Sequence, residues 1–260
     1  MPQGSQTALI TGASVGIGRE LAKLLAQDHY NLVLVARGSS RLSQLAADLE
    51  QQFGVVARPF ALDLASDVAP QFLFDQLQRE NIPIDVLVNN AGYGKLGPFS
   101  EIPYQESAGQ IELNITALTH LTKLFLSPML QRKSGKILNV ASTAGFQPGP
   151  LMAVYYATKA YVISFSEALA NELQGTGVTV TCLCPGATDT EFQTRAGTEQ
   201  TTLFRRVRPM DASVVARDGY RGLMKGKPLV ISGLRNRLLM ESLRISPRRV
   251  VTAVSRKFLE

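Results

Sequence analysis

The stretch Ala8-Leu9-Ile10-Thr11-Gly12-Ala13-Ser14-Val15-Gly16-Ile17-Gly18-Arg19 decides the fold. A short apolar run passes straight into a bend with three glycines. From Gly18 to His29 the apolar residues Leu21, Leu24 and Leu25 then recur at helical spacing. The order is strand, tight bend, helix. Glycine permits positive φ and lets another group approach the backbone closely. A helix N-terminus offers unpaired N–H groups and the positive end of its dipole to an anion. The backbone of Gly12, Ser14, Val15, Gly16, Ile17 and Gly18 is therefore a candidate cradle for a pyrophosphate. The glycine spacing is G-x-x-x-G-x-G and no Gly-Lys-Ser/Thr follows, which argues against nucleoside triphosphate hydrolysis.

Six more short apolar runs follow, at 31–35, 55–57, 86–88, 136–140, 178–183 and 228–231. Their content of β-branched residues fits buried parallel strands. Helical patterns separate them at 41–53, where Leu42, Leu45 and Leu49 share a face, and at 113–130 and 154–173. Strand–helix alternation implies right-handed βαβ units. The expectation is one α/β domain over residues 1–232, a seven-stranded parallel doubly wound sheet with helices on both faces. A less regular stretch is expected near 187–210, and residues 233–260 are expected to form a basic amphipathic C-terminal extension.

The bulk numbers agree with one globular domain. With 260 residues, 45% apolar and 18% charged, the chain can bury a large core and does not read as disordered. The first residues, Met1-Pro2-Gln3-Gly4-Ser5-Gln6-Thr7, lack the basic and apolar regions of a secretory signal. No window approaches the ~20 apolar residues of a membrane span. A soluble, cytoplasmic protein is the expectation. The two cysteines, Cys182 and Cys184, sit two apart in a strand pattern, and no second Cys/His pair would complete a metal site. Buried thiols and no metal are expected. The charge is uneven: residues 1–200 carry 13 basic and 17 acidic side chains, residues 201–260 carry 14 and 4. A basic end can attract phosphate, anionic lipid or nucleic acid.

The end of the second strand bears on the choice of dinucleotide. An acid there would bind the ribose hydroxyl of NAD, whereas an arginine suits the extra phosphate of NADP. The residues here are Ala36-Arg37-Gly38-Ser39-Ser40-Arg41, with no acid. Arg37 and, one helical turn on, Arg41 are candidate phosphate ligands, since a guanidinium binds phosphate bidentately. NADP(H) is expected over NAD(H).

Tyr155 and Lys159 lie four apart in a helical pattern and so share a face. A free phenol titrates near ~10 and is a poor base at neutral pH. A nearby ammonium favours the phenolate, so the pair is a candidate proton donor and acceptor for carbonyl chemistry. Ser142 falls just beyond the fifth strand run, at the edge where ligands bind in open α/β sheets. Its hydroxyl could hold a substrate oxygen beside Tyr155. Asn114 lies in the apolar helical pattern, where its amide either bonds backbone or holds a water that serves Lys159. Tyr156 and Tyr161 read as packing.

In this order and spacing, Thr11-Gly12 through Gly18, Asp63, Asn89-Asn90-Ala91-Gly92, Asn114, Ser142, Tyr155 with Lys159, and Pro185-Gly186 resemble the short-chain dehydrogenase/reductase family over roughly residues 7–232. The resemblance implies a Rossmann fold and an oxidoreductase acting on a carbonyl or secondary alcohol. It implies that Tyr155 is the acid/base and Ser142 orients the carbonyl. Lys159 would bind the nicotinamide ribose and lower the Tyr155 pKa, and Asn114 would support a proton-relay water. Asp63, with Leu64 beside it, would meet the adenine; Asn90, Ala91 and Gly92 the adenosine ribose; Pro185, Gly186, Thr188 and Thr190 the nicotinamide. It also suggests a homodimer or homotetramer through helices near 103–130 and 153–174. Val15 is not basic, which leaves Arg37 as the main contact for the extra phosphate.

Tyr93, Leu96, Phe99, Phe146, Leu151, Met152, Phe192, Leu203 and Phe204 are candidates to line an apolar pocket for a hydrophobic substrate. The tail interleaves apolar and basic residues, and Pro247 divides it into two helical pieces. Such a stripe packs on protein or lies on an anionic membrane surface, protein being the commoner partner. A non-catalytic dinucleotide-binding regulator is the rival reading, but it has no need of Asn114, Ser142, Tyr155 and Lys159 together. A nucleic-acid binder lacks any recognisable motif.

Overall fold

Side chains alternate across the first two strands, β1 (Thr7–Thr11) and β2 (Asn31–Ala36), and this splits the interior into two cores. Ala8, Ile10, Leu32 and Leu34 point into one, and Leu9, Val33 and Val35 into the other. This computed structural model describes residues 6–260, apart from the side chains of Phe204 and Arg206. The sheet order is β3-β2-β1-β4-β5-β6-β9, all parallel. Its other strands are β3 (Ala57–Ala61), β4 (Val86–Asn89), β5 (Gly135–Val140), β6 (Val178–Cys184) and β9 (Leu229–Ile231). The seven-stranded, doubly wound α/β architecture expected from the sequence is present.

Helices α1 (Gly16–Gln27), α2 (Ser39–Phe53) and α9 (Ala212–Met224) cover the first core with Leu21, Leu25, Leu42, Leu45, Val215 and Leu223. Helices α3 (Ala69–Arg79) and α5 (Leu118–Gln131) cover the second with Leu73, Leu77, Leu121, Phe125 and Met129. The long α6 (Ala153–Glu172) packs Val162 and Ile163 against Cys182 and Cys184. Both thiols are buried and free, their Sγ atoms 3.8 Å apart on one face of β6.

Several boundaries differ from expectation. β3 begins at Ala57, not Val55, because it is an edge strand. One side lacks a neighbour, so it tolerates Arg58 and Pro59, which no buried run would carry. α1 opens at Gly16 and α2 at Ser39, each two residues early. The helical pattern near 113–130 divides into a π-helical turn (Glu112–Ala117) and α5, and a further helix, α4 (Tyr104–Ile111), precedes them. The irregular stretch holds a two-stranded ribbon, β7 (Thr188–Asp189) with β8 (Met210–Asp211), and two short helices, α7 (Phe192–Ala196) and α8 (Thr202–Arg206). The tail forms α10 (Leu234–Leu243) and α11 (Arg248–Leu259), broken at Pro247 as expected.

The chain order reverses between β1 and β4, so loops leaving these strands diverge and open a crevice at the carboxyl edge. Buried amides hold the sheet together behind it. Asn89 donates to Thr122 and to Asn139 at 2.9 Å each, and Asn139 donates to Ser166 at 2.9 Å. Phe125 is 2% exposed and meets Phe74 edge-on at 5.2 Å. Phe125→Ala is expected to lower the unfolding free energy by about 3–5 kcal/mol, read from denaturant midpoints, because the cavity cannot close between sheet and helix.

Candidate active site

Every element of the site leaves the carboxyl edge of the sheet. Beyond β1, Gly12 has φ +64° and Gly16 φ +55°, the left-handed region that favours glycine. At Gly18 a Cβ would collide with the Gly12 carbonyl oxygen and the Asn90 amide, so the helix start closes directly onto the bend. Val15 caps α1 without giving it a side-chain acceptor, which leaves first-turn N–H groups without a capping side chain. Thr11 ties this bend to the loop after β4. Its Oγ1 accepts from the backbone N–H groups of Asn90 (2.9 Å) and Ala91 (3.0 Å) and donates to Val88 O at 3.2 Å. Asn90 Nδ2 returns hydrogen bonds to Thr11 O (2.9 Å) and Gly12 O (3.2 Å).

The π-helical turn after α4 sets Asn114 against the same loop. Asn114 Oδ1 accepts from Tyr93 N–H at 3.1 Å, while Nδ2 donates to Tyr93 O (2.9 Å) and Thr158 Oγ1 (3.0 Å). The amide thus clamps the loop to α6. Thr158 in turn donates to the Tyr155 carbonyl at 2.8 Å.

Ser142 stands just past β5 and caps the following 3₁₀ turn, its Oγ accepting from Ala144 N–H at 3.1 Å. Tyr155 lies in the first turn of α6, its ring 5.1 Å from Phe192 and 6.1 Å from Tyr156. Lys159, 6% exposed, donates from Nζ to Val140 O at the end of β5 (2.8 Å) and lies 5.8 Å from the Tyr155 ring centre. Burial raises the Tyr155 pKa well above the ordinary phenol value, the Ser142 hydroxyl opposing it. Burial lowers that of Lys159 to about 8, with Cys182 and Cys184 opposing. Loss of water around the Tyr155 hydroxyl is the largest influence on its titration.

One cavity of about 720 Å³ joins these groups. Its walls include the expected Gly12, Ser14, Val15, Gly16, Ile17, Arg37, Asp63, Leu64, Asn90, Ala91, Gly92, Ser142, Tyr155, Lys159, Pro185, Gly186, Thr188 and Thr190. Three expected residues stand apart from the walls. Gly18 is buried beneath the bend, and Asn114 is 1% exposed behind Gly92. Arg41 projects from α2 into an exposed ion pair at 2.6 Å with Glu191, which lines the cavity. Asp63 caps a local turn, accepting from Ala65 N–H at 3.1 Å, and does not cap α3, whose N-cap is Val68.

Of the apolar candidates, Tyr93, Met152, Phe192 and Leu203 line the cavity. Leu96 and Leu151 pack beside it, Phe146 turns toward α6, and Phe99 is 66% exposed. The side chain of Phe204 lies outside the described residues. The tail supplies walls that sequence reasoning did not foresee, among them Met240, Leu243, Val251, Val254, Phe258 and Leu259. Leu259 is 3% exposed and packs with Ala144, Met152 and Tyr156, so Tyr156 both packs and lines the cavity. The only signal was the apolar residues interleaved with basic ones along the tail, which do not say what they pack against.

The profile of short chain dehydrogenases matches residues 6–201. This chain belongs to the short-chain dehydrogenase family. It is 39% identical over 186 residues to a very-long-chain 3-oxoacyl-CoA reductase of Phaeosphaeria nodorum, a match covering 70% of this chain and 54% of that protein. The chain spans about half the length of the curated relatives it matches most strongly. A short-chain dehydrogenase from Sphingobium yanoikuyae, solved with NADPH, superposes with TM-score 0.84 at 34% identity over 92% of both chains. A bulky-bulky ketone specific alcohol dehydrogenase from Comamonas testosteroni superposes with TM-score 0.78 at 30% identity, again over 92% of both chains.

The lowered Lys159 pKa makes a pH prediction. Below about pH 8 this lysine is charged in both states, and burial penalises the native one. Between about pH 8 and the ordinary lysine value the native state sheds the proton first, so stability rises. Urea unfolding of wild-type protein and Lys159→Met across this window is expected to show the wild type gaining relative stability as pH rises.

Proposed function

We propose that the chain reduces a bulky, hydrophobic carbonyl compound with NADPH, or oxidises the matching secondary alcohol with NADP⁺. The observation that carries this reading is that Tyr155, Ser142 and Lys159 share the wall of one cavity running from the glycine bend to an apolar end. The bend fits a dinucleotide phosphate: its first-turn N–H groups have no capping side chain, and glycines at 12 and 16 keep its surface open. Backbone at Gly12, Ser14, Val15, Gly16 and Ile17 would hold the phosphates. Asp63, Leu64, Asn90, Ala91 and Gly92 would hold the adenosine half, and Lys159, Pro185, Gly186, Thr188 and Thr190 the nicotinamide half. Arg37, exposed at the end of β2 with no acid beside it, supports the 2′-phosphate form. The relative solved with NADPH supports the same choice.

When bound, the nicotinamide supplies or accepts a hydride at the carbonyl carbon. The chain manages the proton and the charge. The high pKa keeps Tyr155 protonated at neutral pH, the form needed to give a proton to the carbonyl oxygen. Ser142 can donate to the same oxygen and hold it against the phenol. Lys159, mostly charged at neutral pH, offsets negative charge that develops there. The apolar walls from Met152, Phe192, Leu203 and the tail suit a hydrophobic substrate. The ketone-specific relative, and the long-chain oxoacyl reductase, act on molecules of that kind by their names. A homodimer or homotetramer through α4 to α6 is part of the same reading. It is supported by Ile111 and Tyr161, which stay exposed, Tyr161 stacking on Phe165 at 5.6 Å.

Tyr155→Phe is expected to lower kcat on a bulky ketone by about a hundredfold to ten-thousandfold. NADPH binding, followed by fluorescence, should stay near wild type; retained turnover would defeat the acid/base role. Arg37→Ala is expected to weaken NADPH binding by roughly tenfold or more while NADH binding holds, since only NADPH carries the phosphate that a guanidinium grips. Equal losses for both would show that Arg37 does not discriminate.

A further inference from the structure

Helices α10 and α11 do two things at once. Their inner sides wall the cavity, and their outer sides leave large apolar residues in water. Leu234 is 72% exposed, Leu238 63% and Ile245 88%, and none of them lines the cavity. Next to them Val250, Val254 and Phe258, one helical turn apart along α11, are exposed and also line the cavity. The apolar stripe therefore continues from the outer surface into the mouth of the active site.

The stripe is set among cations. From Leu234 to Glu260 there are seven basic and two acidic side chains. Both acids are engaged within their own helix region, Glu241 with Arg244 at 3.2 Å and Glu260 with Arg256 at 2.7 Å. A second copy of the chain placed on this face would bring like charges together with no acid left to meet them. Anionic headgroups meet the cations, and the acyl region receives Leu234, Leu238 and Ile245. No helix among the described residues is long and apolar enough to cross a membrane, so the fit is to a surface.

We propose that the outer face of α10 and α11 docks on an anionic lipid surface, with the mouth of the cavity turned toward the bilayer so that apolar substrate enters from lipid. The docking stands independently; only the passage of substrate rests on the function proposed above.

The test is flotation of the full chain with phosphatidylserine–phosphatidylcholine vesicles and with pure phosphatidylcholine vesicles, without cofactor. Binding to the anionic vesicles, weakening as salt rises, and little binding to the neutral ones is expected. Arg235→Ser with Arg249→Ser should weaken binding by more than about tenfold, and Leu238→Glu with Ile245→Glu should abolish it. All four residues lie outside the cavity walls, so turnover of a water-soluble ketone should hold, while turnover of a ketone partitioned into the vesicles falls. Loss of turnover on the soluble ketone by the wild type would sink the enzyme reading and leave the docking result standing. Absent vesicle binding, equal binding to neutral vesicles, or binding untouched by both variants would overturn the docking. So would sedimentation showing that Leu238→Glu with Ile245→Glu dissolves a dimer while vesicle binding persists.

Discussion

A lysine with 6% exposure and no carboxylate partner among the described residues is an expensive object in a protein interior. Lys159 has one close acceptor, the Val140 carbonyl, and burial drags its pKa down. A hydrophobic residue would pack in its place at lower cost. The fold keeps it because β5 and the first turns of α6 converge there, with Ser142 following the strand and Tyr155 one helical turn earlier. The charge thus lies 5.8 Å from the Tyr155 ring centre, on the same cavity wall as Ser142. Strongly shifted groups facing a cavity mark chemistry more often than architecture. Tyr155 and Lys159 are shifted in opposite senses by the same cause, removal of water, which keeps the phenol neutral and the ammonium poised.

Around this pair the polar groups act as mechanical ties. Thr11 joins the bend after β1 to the loop after β4 through two backbone N–H groups, and Asn90 returns two hydrogen bonds. Asn114 grips the Tyr93 backbone from both sides and reaches Thr158. These amides look like ligand contacts in a sequence, yet much of their hydrogen-bonding capacity is spent on backbone. Their effect is to tie the cavity walls to one another and to α6. The π-helical turn belongs to the same device, since an extra residue in the turn changes which way the following side chains face.

What was legible in the chain follows from this physics. Buried strands write themselves as apolar runs, so β1, β2, β4, β5 and β6 were readable, as was the glycine bend, whose residues have few other uses in that position. β3 was misplaced because an edge strand needs no continuous apolar run, and its Arg58 and Pro59 hid it. The π-turn left no trace because its residues satisfy a helical pattern as well as α5 does. Arg41 was named by its distance along the chain from Arg37, but its ion pair with the cavity-lining Glu191 was not legible, since Glu191 lies 150 residues away. The Tyr155–Lys159 pair was visible from spacing alone. The balance between burial and charge that sets its titration was not, since burial is a property of the packed fold.

The tail shows where pattern reading stops for a deeper reason. Val251 and Leu259 read in the sequence just as Leu234, Leu238 and Ile245 do, as apolar residues among basic ones, yet spacing cannot say that the first pair is buried at the cavity and the others stay wet. The family profile ends at residue 201, before either. Core strands answer to constraints shared by every member of the fold, so they carry a common signature. A wall added after the last strand answers only to what this cavity admits. The tail helices turn apolar side chains toward the cavity and lean on the core through a few others, Met240, Val251 and Leu259 being buried. Neither helix is long enough to be stable by itself, so both depend on that packing. On their outer side the arginines stand among exposed leucines, and the lipid docking proposed above rests on that pairing of charge and apolar surface.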